Sequence, residues 1–247
     1  MAQEPLIAVF IDYENLAIGA KDMKRKFQVD LIMKRLLEKG RIVYKRAYCD
    51  WSTYRGAERD MHTLGIELMD IPRSKISGKN SADIRMVVDA LDLCYSKDHI
   101  DTFALISGDS DFSPLVSKLK ENHKRVIGCG IKSSTSDLLI ANCDEFIYYD
   151  DLVRSRKSSK KKSSQKKDKK SEALELALET VQSLESDYDP VWGSLVKQTL
   201  RRVHPGFNEG YYGYRTFNDL LEDAAKRKIL RIDYDESRGN YKVGSAG

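Results

Sequence analysis

The sequence is poor in the residues that thiol, zinc and imidazole chemistry require. Its 247 residues include four cysteines, Cys49, Cys94, Cys129 and Cys143, and no two of them form a C-x-x-C pair. Such spacing suits neither a zinc site nor a disulfide framework, so the thiols read as reduced and mostly buried. The four histidines, His62, His99, His123 and His204, are equally scattered. A histidine-based acid–base mechanism has nothing local to build on. No apolar run approaches the roughly 18 residues of a membrane span, and the longest, Leu6 to Ile11, is strand-sized. The N-terminus lacks the basic-then-apolar layout of a signal peptide, so the expected location is the cytoplasm, with no membrane partner. No internal repeat is present.

What the chain does have is an ordinary globular balance, 41% apolar and 32% charged residues, enough to bury a core and keep a polar surface. Its length suits two modest domains. The net charge of +4 hides a sharp division. Residues 1–153 carry 22 Lys+Arg against 24 Asp+Glu, residues 154–170 carry 10 against 1, and residues 171–247 carry 10 against 13. The basic character therefore lies in the tract 154–170, which has no apolar residue and cannot fold by itself. It reads as a disordered linker, either simply solvated or a tether for a phosphate backbone through residues such as Lys160, Lys161 and Lys162.

Residues 1–153 alternate short apolar runs with amphipathic stretches, the pattern of an α/β domain with a mostly parallel sheet. Leu6–Ile11 is continuously apolar, as expected of a central strand covered on both faces. Further strands are expected at 41–49, 66–71, 102–107, 125–129 and 145–149. Helices should lie near 31–37, 51–64, 80–95, 112–122 and 136–141. Along the third helix Ile84, Val87, Val88 and Leu91 share a face, which marks them as core-facing. Residues 171–247 read as helices near 174–184, 191–203 and 217–228, followed by a hairpin from strands 229–234 and 240–243. Three helices and a terminal hairpin describe a small winged helix-turn-helix.

Open parallel sheets bind ligands beyond the carboxyl ends of their strands, where strand order reverses. The first strand ends in Asp12-Tyr-Glu-Asn15 and the fourth in Ser107-Gly-Asp-Ser-Asp-Phe112. If those strands are neighbours, Asp12, Asp109 and Asp111 converge, and Asp83, opening the helix that leads to the fourth strand, approaches the same crevice. Several carboxylates in one pocket repel, and a divalent cation is the natural compensation. Oxygen donors suit Mg²⁺ or Mn²⁺. An aspartate after a strand also commonly caps the following helix, a role open to Asp12 or Asp111. Asp89, almost two turns beyond Asp83, is equally explained by a solvated helix position.

Phe10-Ile-Asp-Tyr-Glu-Asn15, Lys79-Asn-Ser-Ala-Asp83 with Val88-Asp-Ala-Leu91, and Ser107-Gly-Asp-Ser-Asp-Phe112 together resemble the NYN domain of the LabA-like group, a relative of PIN nucleases. Cys143-Asp-Glu-Phe146 extends the likeness, which covers residues 5–152. The resemblance implies a PIN-like Rossmannoid fold and a metal-dependent ribonuclease. Asp12, Asp83, Asp109 and Asp111 would be its metal-binding carboxylates, and Asn15 would support substrate or metal. Residues 172–243, with Leu195–Leu200, His204-Pro-Gly-Phe207, Tyr212–Leu221 and the hairpin, are similar to the OST-HTH/LOTUS module, a winged-helix RNA-associated domain. RNA is then the expected partner, with Arg201, Arg202 and Arg215 as phosphate contacts, and the module also offers a docking site to a protein partner. The rival reading is a non-catalytic RNA-binding or partner-recruiting adaptor. A phosphohydrolase acting on small esters is a more distant one, since Asp12-x-Glu14 only faintly resembles a D-x-D motif.

Overall fold

The computed structural model describes residues 4–22, 27–72, 80–161, 169–204 and 206–246. The chain divides into two compact units that meet in sequence near residue 162. In the first, β1 (Leu6–Asp12), β2 (Arg41–Cys49), β3 (Glu67–Asp70), β4 (Thr102–Ile106), β5 (Arg125–Gly130) and β6 (Glu145–Tyr148) form one sheet in the order β3-β2-β1-β4-β5-β6. Every pairing in it is parallel.

A parallel strand needs a crossover, and the helices supply them: α1 (Tyr13–Asp22), α2 (Val29–Lys39), α3 (Arg55–Thr63), α4 (Ser81–Ser96), α5 (Ser113–Glu121) and α6 (Asp137–Asn142), with α7 (Tyr149–Lys161) closing the unit. Helices on both faces require a central strand that is apolar on both, and β1 is. Ile7, Val9 and Ile11 enter one core, against residues of α1, α2 and α3. Ala8 and Phe10 enter the other, against α4 and α5. All five are fully buried, each large side chain stabilising the fold by about 1.5–3 kcal/mol. Phe10 also stacks on Phe103 at 6.0 Å and on Tyr48 at 6.5 Å, which locks β1 between β2 and β4.

All six strands fall close to their expected positions, and four differences have physical causes. Helix α1 begins immediately after β1 and lies outside the expected helices; half of its residues are apolar, but it follows the strand with no intervening loop. The expected helix at 51–64 is shorter, since residues 51–53 form a turn and Gly65 ends it at φ +63°. Along α4 the buried residues are Met86, Ala90 and Cys94, while Ile84 and Val88 are 63% and 54% exposed. Of the four expected residues, Val87 and Leu91 pack against the core and Ile84 and Val88 do not, because the buried stripe is centred on Met86, Ala90 and Cys94. Finally, α7 carries helix through the first half of the basic tract to Lys161, contrary to a linker that starts at residue 154. The side chains of Lys160 and Lys161, and all of Lys162, lie outside the described residues.

The second unit comprises α8 (Lys169–Leu184), β7 (Val191–Trp192), α9 (Gly193–Val203), α10 (Phe217–Lys226), β8 (Leu230–Asp235) and β9 (Asn240–Ser245). Its antiparallel sheet has the order β7-β9-β8. Leu174, Val181, Val196, Leu200, Leu220 and Leu221 pack with Phe207, Tyr214 and Phe217 in one core, so these three aromatics are structural. Thr216 and Asp219 form a reciprocal capping box at the start of α10. Among the described residues no helix is long and apolar enough to cross a membrane.

At the amino end of β6, Asp144 accepts the Val126 N–H at 2.8 Å and pairs with Lys120 at 3.1 Å. Burial opposes its charge, but the Val126 N–H and Lys120 outweigh it and hold the carboxyl below its ordinary value of 3.8. A depressed native value means stability that is present above the unfolded value and lost as the pH falls through the native one. Asp144→Asn should therefore cost about 1 kcal/mol at pH 7, since the partly exposed lysine is screened. Urea titrations at successively lower pH should show that difference shrinking as wild-type Asp144 protonates.

Candidate active site

The order of the sheet reverses between β1 and β4: from β1 the chain builds outward to β3, then crosses back to lay β4 on the other side of β1. Ile11 lies opposite Ile106, so Asp12 and the segment Ser107–Asp111 leave the sheet side by side. The register is set by the two cores and not by the acidic residues themselves. A slip of one residue would turn Phe10 and Val9 to the wrong faces.

Asp12 is 6% exposed. Its Oδ1 accepts the Asn15 N–H at 3.2 Å and its Oδ2 accepts the Ser107 hydroxyl at 2.9 Å. The first of these is a helix-cap bond, so capping and crevice-lining coincide in one residue. Ser107, fully buried, also accepts the Asp109 N–H through Oγ at 3.2 Å. Asn15 accepts the Gly108 N–H through Oδ1 at 3.0 Å. Asp109 caps the short 3₁₀ turn Ser110–Phe112 by accepting the Asp111 N–H at 2.9 Å. Gly108 is required here for space, since a Cβ would lie 2.4 Å from the Ser134 carbonyl oxygen. Asn15 and Ser107 thus tie the end of β1 to the end of β4.

Electrostatics give the crevice its character. Burial pushes the Asp12 carboxyl up to about 7, and the charges of Asp83 and Asp109 push the same way, against the Asn15 N–H and the Ser107 hydroxyl. Asp83 is also raised, by burial and by the charges of Asp109 and Asp111. The four carboxylates named from the sequence are therefore mutually interacting. Among the described residues, no three His, Cys, Asp or Glu side chains converge closely enough to enclose a cation by themselves. The donors nevertheless fit Mg²⁺ or Mn²⁺ in kind. All are carboxylate oxygens, two are raised partly by neighbouring negative charge, and such ions keep several waters while taking only one or two carboxylates directly. An open cleft of about 640 Å³ lies beside Asp111, lined by Ser110, Ser113, Pro114, Ser117 and Leu138. It is ample for a nucleotide.

Asp89 does not join this group. It accepts from Tyr48 at 2.9 Å, Arg46 at 3.0 Å and Arg85 at 2.9 Å, a clasp that fixes α4 to β2. Sequence reasoning missed Ser107 as a supporting residue, although it stood inside the Ser-Gly-Asp-Ser-Asp-Phe motif. Of the basic candidates, Arg201 pairs with Glu209 at 3.2 Å, Arg202 donates to the Thr199 hydroxyl at 2.9 Å, and Arg215 is 90% exposed at its side chain.

The raised Asp12 carboxyl has a stability consequence. Its native value of about 7 exceeds its ordinary 3.8, so folding takes up a proton between those values and stability falls as the pH rises through that window. With divalent cations chelated, Asp12→Asn should stabilise the protein at pH 8 by on the order of 2 kcal/mol. The gain should vanish at pH 4. Urea unfolding in EDTA at both pH values measures it, and an Asp12→Asn protein that is less stable at pH 8 would contradict the electrostatic account.

Relatives place this site in context. The NYN domain matches residues 6–150 of the chain, which includes all four carboxylates. The uncharacterised protein MJ0482 of Methanocaldococcus jannaschii is 33% identical over 138 residues, 55% of this chain. The match spans about half of that relative, 52% of its length. A crystal structure of a protein of unknown function from Vibrio parahaemolyticus, VPA0982, is similar with a TM-score of 0.55 and 26% identity. That likeness covers 62% of this chain and 97% of the Vibrio chain. A six-stranded parallel sheet, an acidic crevice at its order reversal and a match over residues 6–150 agree: the chain belongs to the NYN domain family.

Proposed function

We propose that the protein is a metal-dependent ribonuclease of the LabA-like kind, cutting RNA phosphodiester bonds at the crevice formed by Asp12, Asp83, Asp109 and Asp111. NYN domains are typically nucleases. The observation that carries the reading is the burden at Asp12, a carboxylate buried beside others that burial and like charge lift to about 7. Such a cluster is costly unless positive charge answers it. A Mg²⁺ or Mn²⁺ ion held there would neutralise a phosphodiester oxygen and make bound water more acidic.

The chain's own residues divide the remaining work. Asp12 sits deepest, hydrogen-bonded on both oxygens, and holds a fixed position. Asp83 reaches the crevice from the start of α4, whose placement the Asp89 clasp secures. Asp109 and Asp111 share a turn stiffened by their mutual bond, and Asp111 lines the cleft where a nucleotide can lie. Asn15 keeps that turn in register through Gly108. No side-chain nucleophile is needed, which agrees with the scarcity of His and of exposed Cys.

The second unit is read as a winged helix-turn-helix of the OST-HTH/LOTUS kind, serving as an RNA-binding module. The order of α8, β7, α9, α10 and the β8–β9 hairpin supports that reading. The basic tract would add sequence-independent affinity, and joining two binding modules raises effective concentration. One observation favours a non-catalytic adaptor instead, namely that no three potential ligands converge among the described residues.

Cleavage of end-labelled single-stranded, hairpin and duplex RNA and DNA with Mn²⁺, Mg²⁺ or EDTA separates the two. Metal-dependent cutting of RNA that falls about 100-fold or more in Asp109→Asn/Asp111→Asn is expected. RNA binding without any cutting by the wild-type protein would sink the nuclease and leave the adaptor.

A further inference from the structure

The second unit is net acidic, with 10 basic against 13 acidic residues over 171–247, yet it contains a cleft with no carboxylate in its lining. The cleft, about 410 Å³, lies between the first turns of α9 and α10 and the β8–β9 turn. Its polar lining includes Ser194, Lys197, Asn218, Arg238 and Asn240. All of these can donate hydrogen bonds, and two are cations. The Asn240 amide donates to the Ser194 Oγ at 2.9 Å, which leaves the Ser194 hydroxyl proton for another acceptor.

Arg238 stands apart from its neighbours. Lys197 pairs with Glu209 at 3.0 Å and Lys242 with Asp235 at 3.2 Å. Among the described residues, no carboxylate lies within ion-pair distance of Arg238. Its guanidinium instead rests 4.7 Å above the Trp192 ring, with the Lys242 ammonium 5.7 Å from the same ring. A guanidinium on an aromatic face is oriented while its N–H donors stay available. Gly239, at φ +59°, lets the turn bring Arg238 to the cleft.

We propose that this cleft binds the phosphodiester backbone of single-stranded RNA, with Arg238 as the main phosphate contact and Asn218 as a neutral donor beside it. The assignment deepens the reading of the second unit as an RNA-binding module and rests on it. It also moves the contact surface away from Arg201, which Glu209 already engages. Charge complementarity points to the occupant: a cleft lined by two cations and by neutral hydrogen-bonding groups, with no carboxylate, attracts a polyanion, and a strand free of a partner can bend a phosphate into it.

The test is fluorescence anisotropy of the full chain with a labelled 12-nucleotide oligouridylate in EDTA, where cleavage plays no part. The absence of nuclease activity would therefore leave this result interpretable. Arg238→Ala should weaken binding about five- to tenfold and reduce the slope of log K against log salt by about 0.7, the value for one phosphate contact on a single strand. Asn218→Asp, which sets a carboxylate in the cleft with little change of shape, should weaken binding at least as much. Lys226→Ala, an equal charge loss at the far end of α10, should change it less than about twofold. The proposal is overturned if neither cleft variant weakens binding while both remain folded by circular dichroism. It is equally overturned if Lys226→Ala costs as much as Arg238→Ala, or if the cleft variants weaken a duplex as strongly as the single strand.

Discussion

The candidate active site depends on strand β1 being buried on both faces between two strands that the chain reaches from opposite directions. Ile7, Val9 and Ile11 must point to one core and Ala8 and Phe10 to the other, and that requirement leaves a single register against β2 and β4. The acidic residue ending β1 and the acidic turn ending β4 are then side by side without any attraction between them. Apolar packing brings the carboxylates together and supplies the energy to hold like charges in one crevice.

That arrangement explains why so many of the crevice residues have two roles. Asp12 and Asp109 each accept a backbone N–H that would otherwise be unsatisfied at the start of a helix or turn. Ser107 joins Asp12 to the Asp109 amide. Local hydrogen bonding offsets part of the repulsion, but burial and neighbouring charge still leave Asp12 well above an ordinary aspartate. The residual electrostatic burden is the kind that functional sites carry at the expense of stability.

In the second unit the position of a charge matters more than the total. Its acidic residues are largely committed to local work: Glu209 to Lys197 and Arg201, Asp223 to Tyr214 and Arg227, and Asp219 to the α10 cap. With the carboxylates so engaged, a small cationic cleft survives in a domain whose net charge is negative. A sum over the sequence cannot reveal this.

Much of the architecture was legible from residue order. Continuous apolar runs are what doubly covered strands require, so β1 and β4 stood out, and the carboxylates sat where parallel strands end. The three motifs carried the NYN resemblance, and the match over residues 6–150 agrees with them. Less legible was anything that depends on a neighbour distant in sequence. Helix α4 showed the apolar residues Ile84, Val87, Val88 and Leu91 but not that the stripe meeting the sheet would be centred on Met86, Ala90 and Cys94, with Val87 and Leu91 at its edge, because the packing partner decides where along the helix surface the core lies. Asp89 looked like an ordinary solvated position until β2 brought Arg46 and Tyr48 to it. Ser107 and Asn15 acquired their partners only when the ends of β1 and β4 met. The sequence by itself determined which elements form and where their acidic ends lie, since periodicity and capping are local properties. Tertiary structure decided which carboxylates share a charge burden and which are clasped, because burial and electrostatic coupling exist only between groups that the fold brings together.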